Sequence, residues 1–145
     1  MFSSKDSVVI VSAKRSAIGS FCGSLSSLPA HAIGSEVIKD IIKKTAIDAS
    51  EIDEVILGQV LTAGQGQNPA RQAAIKAGVP VEKTALGINQ VCGAGLRAVA
   101  MGMQQLSMGD ANVIIAGGQE SMSLSHHASN MRNATKMGNT EFIDP

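Results

Sequence analysis

The sequence predicts an α/β fold, a mostly parallel sheet with helices packed on it, and three features of the 145 residues point there. Short β-branched runs alternate with segments of helical period, which is the pattern of βαβ units with right-handed crossovers. Hydrophobic residues make up 44% of the chain with no Trp, no Tyr and three Phe, so the core must come from Val, Ile, Leu, Ala and Met. Fifteen glycines allow helices to approach strands closely, which favours tight helix-on-sheet layers.

Taken in order, Val8-Val9-Ile10-Val11 is a continuous apolar run, the signature of a strand buried on both faces. A Gly/Ser-rich loop, 17–28, follows. Pro29 can open a helix whose apolar positions Ile33, Val37, Ile38, Ile41 and Ile42 form one stripe. Residues 54–60 read as a second strand. Asn68-Pro69 supplies an N-cap with proline at the first helical position, and Gly78 and Pro80 end that helix. Thr84 to Ile88 is a third strand, about Gly93 to Met108 a third helix closed by Gly109, and 112–116 a fourth strand. Leu96, Val99, Met103 and Leu106 recur at core-packing spacing on that helix, a plainer reading of the methionines than a thioether ligand set. From Ser121 to Pro145 no period persists, so residues 1–120 read as the domain and 121–145 as a loop region. Internal repeats and low-complexity linkers are not visible in the sequence.

Composition excludes several functions. Twelve basic residues balance twelve acidic ones, so neither nucleic acid nor another strongly charged partner is expected. Cys22 and Cys92 match no zinc or CxxC spacing and are expected as free thiols of a cytoplasmic protein, with no metal and no membrane span.

The chemistry concentrates at Cys92, which falls between a strand and the first turn of a helix. There, free amides and the positive helix end favour a thiolate, whose parent thiol titrates near roughly 8.5, and can donate to an oxyanion. Gly93 and Gly95 would leave room for a substrate carbonyl. A small buried hydrophobe at a tight turn is the competing reading of Cys92. Gly93-Ala94-Gly95-Leu96-Arg97-Ala98 also fits the G-x-G-x-x-A dinucleotide fingerprint. It lies in the third unit rather than the first, and no acidic residue ends the next strand, where Ile115-Ala116-Gly117-Gly118 stands.

The stretch Asn89-Gln90-Val91-Cys92-Gly93-Ala94-Gly95-Leu96-Arg97-Ala98 resembles the nucleophile motif of thiolases. Gly58-Gln59-Val60, 64–67, Asn68-Pro69-Ala70-Arg71-Gln72-Ala73 and Gly117-Gly118-Gln119-Glu120-Ser121-Met122-Ser123 resemble other stretches of that family, in one register from about Val8 to Pro145. The nearest likeness is to its biosynthetic, acetyl-CoA acetyltransferase branch. Ala94 stands where that branch commonly has Ser, Gln119 where it has Met, and His126 where it has Pro. The resemblance implies a thiolase-like layered fold of which this is an incomplete N-terminal half. It implies an acyltransferase in which Cys92 takes an acyl group from acyl-CoA and passes it to the carbanion of a second acetyl-CoA, or runs the reverse thiolysis. It implies coenzyme A thioesters as substrates without a further cofactor, a homo-oligomer in the full-length family, and a histidine and second cysteine contributed by a C-terminal half. That half could be separately encoded. No histidine here stands in such a catalytic motif: His31 falls in the first helix, and His126 and His127 fall in the tail. The expectation for these 145 residues alone is no condensation turnover; a non-catalytic remnant or interaction module is the alternative. Arg71, at the start of the second helix, is expected to be solvated or interface-facing rather than an anion ligand, and Glu120 to be structural.

Overall fold

A computed structural model describes residues 7–132 and 136–145. Helix α1 spans Ala30–Thr45, strand β1 Glu54–Gly58, helix α2 Pro69–Ala77, strand β2 Thr84–Ile88, helix α3 Ala94–Met108 and strand β3 Ile114–Gly118, with single 3-10 turns at Ala49–Glu51 and Met122–Leu124. Each boundary has a local cause. Pro29 directly precedes α1, and Lys43 and Lys44 in its last turn face the negative end of the helix dipole. Asn68 accepts the amide of Arg71 and so caps α2, with Pro69 as its first residue; Gly78, at φ +96°, ends it where a side chain would be strained. Gly109 closes α3 in the same left-handed conformation.

The strands are parallel in the order β2-β1-β3, with Val55 opposite both Ala85 and Ile115. The step from β1 to β2 through α2 and the return past β1 to β3 through α3 run in opposite directions along the sheet. A common crossover hand therefore requires α2 and α3 on opposite faces, and the packing agrees. Val55, Leu57 and Ile115 join Ile38 of α1 and Ala70, Ala73 and Ala74 of α2 in one buried cluster. The alternate residues Ile114 and Ala116 lie against Gly102 of α3 on the other face. At the amino edge Asp53 binds β1 to β3: its carboxylate accepts the amides of Asn112 at 2.7 Å and Val113 at 3.2 Å.

Two expectations are corrected. Residues 8–11 form no strand, and Ile10 is 78% exposed. A four-residue apolar run becomes a buried strand only when a neighbour completes its ladder and layers cover both faces; residues 8–11 pair with neither open edge, β2 or β3, and among the described residues the sheet has three strands instead of four. The apolar stripe of α3 is also not core, since Leu96 is 78% and Met103 50% exposed. The helix seats through Ala94, Ala98 and Gly102 instead, because small side chains let it lie close on the sheet. In the tail, Ala128 and Ile143 exchange both backbone hydrogen bonds, at 2.9 and 2.8 Å.

Candidate active site

In a doubly wound parallel sheet the strand exits form the crevice where ligands bind. Here that edge is built from 58–61 after β1, 88–92 after β2 and 118–121 after β3. Their backbones continue to pair beyond the strands: the amide of Gln59 donates to Ile88 O at 3.0 Å and that of Gln119 to Gly58 O at 2.9 Å. Gly58 has no room for a side chain, because a Cβ there would stand 2.4 Å from the carbonyl carbon of Ala94. The first turn of α3 thus rests directly on the sheet edge.

Cys92 sits in the turn from β2 to α3 and is exposed, which rules out the buried-hydrophobe reading. The residue before it, Val91, has φ +49°, a left-handed conformation that a β-branched side chain rarely adopts. Asn89 Oδ1 accepts the Val91 amide at 2.9 Å, and the amides of Gly93 and Ala94 return to the carbonyls of Gln90 and Val91. Among the described residues the amides of Gly95 and Leu96, three and four residues after Cys92, have no acceptor at the start of the fifteen-residue α3. Gly95 itself faces Gly118, where a Cβ would meet the Gly118 amide nitrogen at 3.5 Å. At that distance the contact is an ordinary one, so packing alone does not demand glycine at this position.

The polar groups behind the thiol are interlocked. Glu120 accepts the amides of Val60 at 2.8 Å and Leu61 at 3.3 Å, which is the structural role expected of it. Gln119 Nε2 donates to the buried Gln59 Oε1 at 2.9 Å, and Gln59 Nε2 donates to Gln65 Oε1 at 2.8 Å and Leu61 O at 2.9 Å. Sequence reasoning missed this glutamine relay, and it missed Asn89; the available signal was an Asn two residues before a turn position. Arg71 is half-buried, and its guanidinium donates to the carbonyls of Lys83 and Val81 in the loop that follows α2. His31 lies on α1, where burial and nearby Lys76 lower its pKa. His126 and His127 are exposed in the tail. No cluster of three or more metal-ligating side chains occurs among the described residues, and no helix there is long and apolar enough to cross a membrane.

Fold and site together define an α/β protein with an exposed thiol at the carboxyl edge of a parallel sheet. The family described as thiolase, N-terminal domain, matches residues 8–144, and the chain belongs to the thiolase family. It is 57% identical over 141 residues to an acetyl-CoA acetyltransferase of Rhizobium meliloti, covering 97% of this chain and 36% of the relative. It is 45% identical over 144 residues to the cytosolic acetyl-CoA acetyltransferase of Rattus norvegicus, covering 99% of this chain and 36% of the relative. The crystal structure of the Bacillus anthracis acetyl-CoA acetyltransferase superposes with a TM-score of 0.82 at 31% identity, over 87% of this chain and 32% of that one. The chain spans about a third of the length of these relatives. The dinucleotide reading of 93–98 finds no support beside this assignment.

Proposed function

We propose that this chain carries the nucleophile of an acetyl-CoA acetyltransferase, and that Cys92 is that nucleophile. One observation carries the reading: in a thiolase N-terminal domain, Cys92 stands exposed in the turn between β2 and α3, and the amides of Gly95 and Leu96 that follow it have no acceptor among the described residues. The Cys92 sulfur attacks the thioester carbonyl of acetyl-CoA, and free α3 amides stabilise the oxyanion. The bond to the coenzyme A sulfur breaks, free coenzyme A leaves with a proton, and acetyl-Cys92 remains. Attack by the carbanion of a second acetyl-CoA then releases acetoacetyl-CoA and restores the thiol; thiolysis is the reverse. Splitting the condensation into two transfers is nucleophilic catalysis with ping-pong kinetics.

The reading assigns coenzyme A thioesters as the substrates, with no metal or further cofactor. It assigns the proton-transferring groups of the second transfer to residues outside these 145, and a homo-oligomer to the complete protein. A cytoplasmic location is supported by the rat relative, which is named cytosolic. The test is a condensation assay. The 145-residue polypeptide alone should form no acetoacetyl-CoA from acetyl-CoA, and addition of the remaining portion of a thiolase should produce it unless Cys92→Ala is present. Turnover that survives Cys92→Ala would overturn the assignment.

A further inference from the structure

We propose that Asn89 is a positioning residue that holds the Cys92 turn in its reactive geometry, and that Glu120 anchors the clamp through which it acts. The inference rests on the reading of Cys92 as the acyl acceptor. Asn89 binds in two directions. Its Oδ1 accepts the Val91 amide at 2.9 Å, and its Nδ2 donates to Val60 O at 3.3 Å. The Val60 and Leu61 amides in turn donate to the Glu120 carboxylate at 2.8 and 3.3 Å. The exits of all three strands are thereby joined through two side chains, and the joint ends on the residue next to the thiol.

The need for such a clamp comes from Val91. At φ +49° a β-branched residue is strained, and strain persists only where surrounding bonds over-determine it. Val91 is itself exposed, so packing does not hold it. The amide of Val91 is fixed by Asn89, and its carbonyl accepts the Ala94 amide at 3.1 Å, at the start of α3. Removing Asn89 Oδ1 frees Val91 to return to an extended conformation, which turns Cys92 away from the helix start. Neither Asn89 nor Glu120 has a bond to the Cys92 sulfur among the described residues, so both act through the backbone.

Cys22 supplies an internal reference, since it is exposed, lies in the loop before α1 and has its amide held by Ser123 Oγ rather than by the clamp. The full 145-residue chain and its Asn89→Ala and Asn89→Ser variants are treated with limiting iodoacetamide, and carbamidomethylation at each cysteine is read by peptide mass. Asn89→Ala should lower the Cys92-to-Cys22 labelling ratio by about fivefold, the population change that one net hydrogen bond commands. Asn89→Ser, whose neutral hydroxyl can accept the same amide more weakly, should recover part of that loss. A ratio within twofold of the unaltered chain in Asn89→Ala overturns the proposal. So does equal loss in both variants with faster labelling of Cys22, which marks general loosening. Alkylation needs no acyl transfer, so failure here is separate from failure of Cys92 to accept acetyl.

Discussion

At the scale of single residues, a left-handed Val91 precedes the thiol at one edge of the sheet and the Asp53 carboxylate joins strands at the other. Gly58 illustrates how little freedom the thiol edge has. Gly58→Ala would drive a Cβ into the backbone of Ala94 and Gly95, so α3 must lift from the sheet. That variant is expected to lower the melting temperature and to slow Cys92 alkylation together, measured by circular dichroism and labelling. Asp53 gives a pH-dependent counterpart. The Asn112 and Val113 amides, with Lys83 further off, hold its carboxyl below the usual carboxylate range. A depressed folded pKa adds stability above the unfolded value near about 3.9, and that stability is lost as pH falls through the folded value. Asp53→Asn should therefore melt below the unaltered chain at pH 7, and the gap should close as pH falls from the unfolded value through the lower folded one. A gap that is constant with pH would show that the amide bonds, and not the carboxylate charge, matter there.

At the scale of elements, signals that act within a few residues were legible in the sequence and those that depend on neighbours were not. The α2 cap was read from Asn68-Pro69, and the structure adds that Asn68 Nδ2 also binds Ala85 O at 2.9 Å, joining helix to strand. Asn68→Ala should cost about 2 kcal/mol, one cap bond and one cross-element bond, read from urea denaturation. The three helices and the strands near 54, 84 and 114 were likewise fixed by caps, glycines and periodicity. The run 8–11 and the α3 stripe depart from their apolar patterns for one reason. An apolar pattern states that a surface avoids water, not which partner covers it, and Ala98 and Gly102 carried the real contact without any hydrophobic signal. At the candidate site the position of Cys92 at a strand-to-helix turn was legible. The Asn89–Val60 and Gln59–Gln119 contacts were not, because they join exits 29 and 60 residues apart in sequence.

At the scale of the whole molecule, apolar surface is left open on several sides. Val9, Ile10 and Val11 on one segment, and Leu96, Val99 and Met103 on α3, all face solvent. Contiguous exposed apolar surface drives association, so the purified chain should self-associate with rising concentration in sedimentation velocity. Leu96→Glu should weaken that association without lowering the melting temperature, because Leu96 makes no core contact to lose. The chain spans about a third of the length of the relatives it matches. On the proposed reading the chain carries the acyl-accepting half of the chemistry, and intact-mass spectrometry after incubation with acetyl-CoA, beside a Cys92→Ala control, tests that most directly. The account predicts a gain of one acetyl group that disappears in the control. A folded chain that gains no acetyl group, or gains one equally in Cys92→Ala, would contradict it.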